Sequence, residues 1–203
     1  MHHEDRRMIA ISVKSDVRGA QRFVSRIGEQ GVRRAAYRAI NKGGQAAFTV
    51  GKRAVARDLR VPQKEIKDRF TLSKARPRNL TAWIRPNKAA WRPLGLIYYV
   101  TKSKRYVGAF RKQKGVRYKQ PRGSGNRVME DAFIAKGQHS GALQVFMRTG
   151  PERDAPIAKK SGPMPATSLR RDDVRRAMST RARKIFGKEF NRQLKREIER
   201  AAR

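Results

Sequence analysis

Histidine, cysteine and paired carboxylates carry most protein chemistry, and this chain of 203 residues offers few of them. Its three histidines are His2, His3 and His139, and none stands at zinc-ligand spacing with another suitable ligand. Cysteine is absent, which excludes disulfides, thiolate nucleophiles and thiolate zinc sites. One arrangement at the start is chemically unusual. A free amine, two backbone amides and His3 could chelate Cu(II) or Ni(II) in a square plane. A frayed polar end accounts for the same residues. Glu130 and Asp131 adjoin within a segment that reads as a strand, so their side chains point to opposite faces and make a poor acid–base pair. There is no Walker loop, dinucleotide glycine fingerprint or HExxH. We therefore assign no catalytic residue, no metal ligand and no cofactor, and expect a protein that is not an enzyme.

Charge is the stronger signal. Lysine and arginine total 51 against 16 acidic residues, a formal net charge of +35 that attracts nucleic acid or acidic protein surfaces. From Arg69 to Met129 there are 17 Lys or Arg and no Asp or Glu. Trp83, Trp91, Tyr98, Tyr99, Tyr106 and Tyr118 lie among them. Cations interleaved with rings suit phosphate pairing and stacking. The densest part runs from 102 to 122, and its contact candidates are Lys102, Lys104, Arg105, Arg111, Lys112, Lys114, Arg117, Lys119 and Arg122. The alternative is a hairpin with a solvated basic face and its aromatics turned into the core. No recognition helix or RNA-binding consensus points to sequence-specific reading.

The elements that would position these groups can be read from periodicity. MIAISVK (8–14) alternates as a short strand does. A helical pattern runs from Asp16 to Leu59, with apolar and small residues every three or four positions. Gly28, Gly31 and Gly43-Gly44 weaken it by about 1 kcal/mol each, which predicts a bend or two helices in series. Pro62 suits the first position of a short helix, PQKEIKDRF. Strands follow at FTLSKA, NLTAWIR, GVRYKQ (115–120), VMEDAFIAK (128–136) and ALQVFMR (142–148), with a Gly-rich basic loop at 121–127. A last helix spans Leu169 to Ala202, with apolar residues every four positions from Val174 to Ile198. Each four-residue step drifts about 40° around a straight helix, so the stripe travels about 240°. Either Gly187 kinks the helix or its last turns pack elsewhere, which makes Phe186, Phe190, Leu194 and Ile198 candidates for a subunit interface.

The fold class expected is α+β, with a long N-terminal helix, a central mostly antiparallel sheet bearing long basic loops or a hairpin, and a long C-terminal helix. One domain would fill 1–203, with a strand or arm at 1–15 and a basic extension at 102–127. The opening residues carry no signal-peptide core, and the longest apolar stretch, Leu94 to Val100, is too short to span a bilayer, so no membrane partner is expected.

The segment DAFIAKGQHSGALQVFMRTGPERDAPIAKKSGPM (131–164) resembles the prophage minor tail protein Z family, the tail completion proteins of long-tailed phages. The matching features are the A-F-I-A strand, the Gly-bearing turn with His139, and Val145, Phe146 and Arg148 followed by Gly150. Arg153, Pro156-Ile157 and Ser161-Gly162-Pro163 complete them. ARDLRVPQKEIKDRFTLSKA (56–75), RAINKGGQAAFTVGKRAVARDL (38–59) and FGKEFNRQL (186–194) are further similar passages. Lys159-Lys160 departs from the apolar pair expected there. The resemblance implies a structural part of the head-proximal tail that acts in tail completion and head–tail joining, close to the DNA end. The expected partners are further copies of the chain in a ring, and tail terminator, tail tube or head–tail connector proteins. Genomic DNA in the channel completes that set. The competing reading from composition is a basic nucleic-acid-binding protein of ribosomal or nucleoid type.

Overall fold

The computed structural model describes residues 9–11, 17–101, 115–119, 125–138, 140–150, 152 and 154–203. Helix α1 (Val17–Asp58) carries the bend expected from its glycines, and the bend falls at Gly28. There φ is 67° and ψ 165°, a backbone region open in practice to glycine alone. Helix α3 (Asp172–Ala201) follows a five-residue helix α2 (Pro165–Leu169), whose Pro165 occupies the first turn as its fixed φ favours.

The two long helices run antiparallel against each other. Arg171 reaches Asp58 at 3.3 Å at one end, and Arg34 reaches Glu197 at 3.0 Å at the other. Between them the contact residues of α1 are small: Ala35, Ala39, Gly43, Ala47 and Gly51 are all buried. A Cβ on Gly43 would stand 2.9 Å from the carbonyl oxygen of Ala182, so the close approach of the helices depends on its absence. From α3, Val174, Met178, Ala182, Phe186 and Leu194 are buried opposite.

Three antiparallel sheets cover the rest. Strands β1 (Ile9–Ile11), β2 (Phe70–Ser73) and β3 (Ala82–Pro86) form the first in the order β1-β3-β2, with Ile84 opposite both Ile9 and Leu72. Strands β4 (Val116–Lys119) and β5 (Asn126–Met129) pair alone. Strands β6 (Ala132–Lys136), β7 (Leu143–Arg148) and β8 (Ile157–Lys160) make a meander with β7 central. Leu59, Ile66, Ile84, Leu94, Val145, Leu169 and Met178 belong to one buried cluster that joins helices to sheets. Each fully buried side chain of this size contributes about 1.5–3 kcal/mol.

The mixed α+β architecture is the one expected, with three local differences. The segment after Pro62 is a single 3-10 turn, Gln63–Glu65, and not an α-helix. Its backbone bonds span three residues, Glu65 N–H donating to Pro62 and Ile66 N–H to Gln63 at 3.0 Å each, and the Arg69 Nε donates to the carbonyl oxygen of Glu65 at 2.6 Å. The strand expected over 128–136 is divided, since Asp131 takes φ 59° and turns the chain between β5 and β6. Glu130 and Asp131 therefore lie in an exposed turn, not on opposite faces of a strand. Strand β8 was not expected. Helix α3 passes through Gly187 without a kink, so of the two alternatives for its drifting stripe the kink is not the one taken.

Candidate nucleic-acid and subunit interfaces

The basic tract divides into cations that hold the fold and cations that face water. Arg69 belongs to the first group: besides Glu65, its guanidinium donates to the carbonyl oxygens of Ala89 and Arg92 and ties the 3-10 turn to the residues after β3. Of the contact candidates, Arg117 and Lys119 lie on β4 and are exposed. Lys102, Lys104, Arg105, Arg111, Lys112, Lys114 and Arg122 fall outside the described residues, as does His139.

The aromatics of the tract are divided as well. Tyr99 is buried, and Trp83 and Tyr118 are half-buried. Trp91 and Tyr98 are exposed yet engaged. The Arg170 guanidinium stands 5.3 Å from the Trp91 ring, and the Tyr98 hydroxyl donates to Glu65 at 2.7 Å. That hydrogen bond to Glu65 raises the Tyr98 hydroxyl above its ordinary range, because the carboxylate stabilises the protonated phenol.

The four apolar candidates on α3 have unequal surroundings. Phe186 and Leu194 are buried against α1 within the chain, whereas Phe190 and Ile198 are half-buried. Phe190 stacks on Phe186 with ring centroids 5.3 Å apart. The drift of the apolar stripe is absorbed by polar residues. Gln193 and Glu197 lie within about 20° of Phe186 around the axis, and both are buried there. Glu197 is 3% exposed, and its two oxygens accept from Arg34 and Arg38 at 3.0 Å each. Arg200 adds a third cation at 3.6 Å.

Beside this clamp lies a groove of about 430 Å³ that no apolar pattern could have marked. It is walled by Arg38 and Lys42 of α1, Lys74 after β2, and Arg192 and Arg196 of α3, with Glu189 as its acid. Asn41 holds the strand end in place. Its Nδ2 donates to the carbonyl oxygen of Ala75 at 3.0 Å, and the Ala75 N–H donates back to Oδ1 at 2.7 Å. Glu189 accepts from Arg192 at 2.6 Å and from Gln193 at 2.7 Å, and these bonds hold its carboxyl below the usual carboxylate range. The spacing of Arg38 with Lys42, and of Arg192 with Arg196, was a helical i,i+4 signal that could have flagged both walls.

Among the described residues, no group of three His, Cys, Asp or Glu could hold a metal ion, and no helix is long and apolar enough to cross a membrane. Residues 17–203 match the family model described as prophage minor tail protein Z. No curated protein and no solved structure matches the chain.

Proposed function

The chain belongs to the prophage minor tail protein Z family, a structural protein of the phage tail, and from that premise we propose that it completes the head-proximal end of the tail. In this reading several copies close into a ring, join the tail to the head and position the DNA end. The partners are then further copies of the chain and the tail terminator, tail tube or connector proteins next to it.

The observation that carries this reading is the family match, which spans both long helices and all strands after β1. The charge supports it, since a surplus of +35 favours an assembly that supplies counter-charge. Exposed Arg117 and Lys119, with the neighbouring candidates at 102–122, are the proposed contacts to DNA or to an acidic neighbour. Half-buried Phe190 and Ile198 are the proposed margin of a subunit contact, built on the buried Phe186 and Leu194 beneath them.

Electron microscopy of intact virions with the chain labelled tests the proposal. Density as a closed ring between head and tail is the expected result. Label along the tube, at the distal tip or absent from particles overturns it.

A further inference from the structure

We propose that the groove between α1 and α3 is a binding site for a phosphodiester backbone, the anionic edge of duplex DNA. The choice of DNA over other polyanions rests on the placement beside the DNA end proposed above. The site itself rests on the groove.

Three separate elements deliver cations to it: Lys42 from α1, Lys74 from the end of β2 and Arg196 from α3. The other two cations of the wall have acids of their own. Arg38 donates to Glu197 at 3.0 Å, and Arg192 donates to Glu189 at 2.6 Å. Glu189 is thereby satisfied, with Gln193 as a second donor. Among the described residues, Lys42, Lys74 and Arg196 make no salt bridge within 4 Å, although Lys42 is near enough to Glu189 to help hold its carboxyl down. Like charges gathered around a concave surface repel one another and raise the local positive potential. The fold nevertheless fixes one of them there, because the two-point grip of Asn41 on Ala75 holds the residue next to Lys74 against α1.

The groove is also elongated in its charge. Arg38 and Lys42 stand one helical turn apart, as do Arg192 and Arg196, a step of about 6 Å along each wall. A linear polyanion laid over the helix seam meets Lys42 on one wall and Arg196 on the other, each next to an acid-paired arginine, with Lys74 beside them. Lysine supplies point charges and arginine a planar fork, the two chemistries that grip phosphate oxygens. Phosphate contacts of this kind fix position and carry no sequence information, which suits a protein that holds a DNA end of any sequence.

The experiment uses the full chain, a short labelled DNA duplex and labelled polyglutamate, with fluorescence anisotropy read across a salt series. Lys74→Glu with Arg196→Glu is compared with Lys64→Glu and Lys67→Glu, an equal charge change at two exposed lysines outside the groove. At physiological salt the groove pair is expected to weaken duplex binding about tenfold or more and to flatten the salt slope by about 1.8. The control pair should change affinity less than about threefold. Equal losses in both pairs overturn the proposal, since the net field alone then explains binding. Loss of polyglutamate binding with duplex binding intact overturns it in favour of an acidic protein partner. Lys74→Gln with Arg196→Gln, checked by its melting curve, repeats the comparison if charge reversal unfolds the chain. Incorporation into tails is read on virions, so a groove that ignores DNA and a chain missing from tails are separate results.

Discussion

Arg38 Nη1 stands 3.0 Å from Glu197 Oε1, closing a contact between the middle of α1 and the last turns of α3. Arg34 takes the other oxygen at the same distance, so the far end of the helix pair is fastened by charge where its middle is fastened by small residues. The partners differ in solvation. The Glu197 side chain is 2% exposed, and those of Arg34 and Arg38 are 39% and 36% exposed.

That asymmetry sets the order of two mutational effects. Arg34→Ala with Arg38→Ala leaves a buried carboxylate with only the more distant Arg200, and should cost about 3 kcal/mol of unfolding free energy. Glu197→Ala leaves arginines that can recover water, and should cost about 1–2 kcal/mol. Denaturant unfolding in matched salt measures both, and the reverse order would contradict the clamp.

The adjacent glycines of α1 should respond in opposite ways to alanine. At Gly43 a methyl group meets the Ala182 carbonyl at 2.9 Å and forces the helices apart. At Gly44 the nearest atoms are the Ala82 Cβ at 3.4 Å and a Leu72 methyl at 3.6 Å, which is ordinary contact. Gly44→Ala should therefore keep much of the helix-propensity gain of about 1 kcal/mol, while Gly43→Ala lowers the Tm despite the same gain. Paired thermal melts decide it.

Asn41→Leu tests the grip on Ala75 with little change of shape and no change of charge. It removes both the acceptor for the Ala75 N–H and the donor to the Ala75 carbonyl. A loss of about 1–3 kcal/mol is expected, with faster amide exchange at Ala75. Unchanged stability would show that the grip contributes nothing.

Acid should weaken the fold through Glu189 and Asp173. Arg192 and Gln193 hold the first below its ordinary range, and Arg171 holds the second. The unfolded chain therefore binds these protons more readily than the folded one. Their contribution is complete above the ordinary carboxylate values of about 4, and is lost as pH falls through the lower folded values. The Tm should drop across that window, and Glu189→Gln should make the drop shallower. An identical pH profile for that variant would count against the assignment.

Much of the architecture was legible in the sequence because long amphipathic helices and alternating strands leave periodic marks. The bend in α1 could be narrowed to its glycines, though only the backbone shows that Gly28 provides it. The end of α3 was less legible. Apolar periodicity follows Phe190 and Ile198, whereas the face that is covered there belongs to Gln193 and Glu197, polar residues sealed by arginines of α1. Strand β8 reads IAKK, too short and too basic to announce itself, and exists through pairing with β7. The groove escaped for a related reason. Its cations come from three places in the chain, and Lys74 joins them only through the Asn41 grip.

Gly28 has one further consequence. A backbone pair of φ 67° and ψ 165° belongs to a well that side chains shun, so the rod before it and the rod after it keep separate headings. Any other residue placed there would carry a strain of about 1–3 kcal/mol, so the heading of the leading rod depends on the one position that has no side chain to oppose the turn.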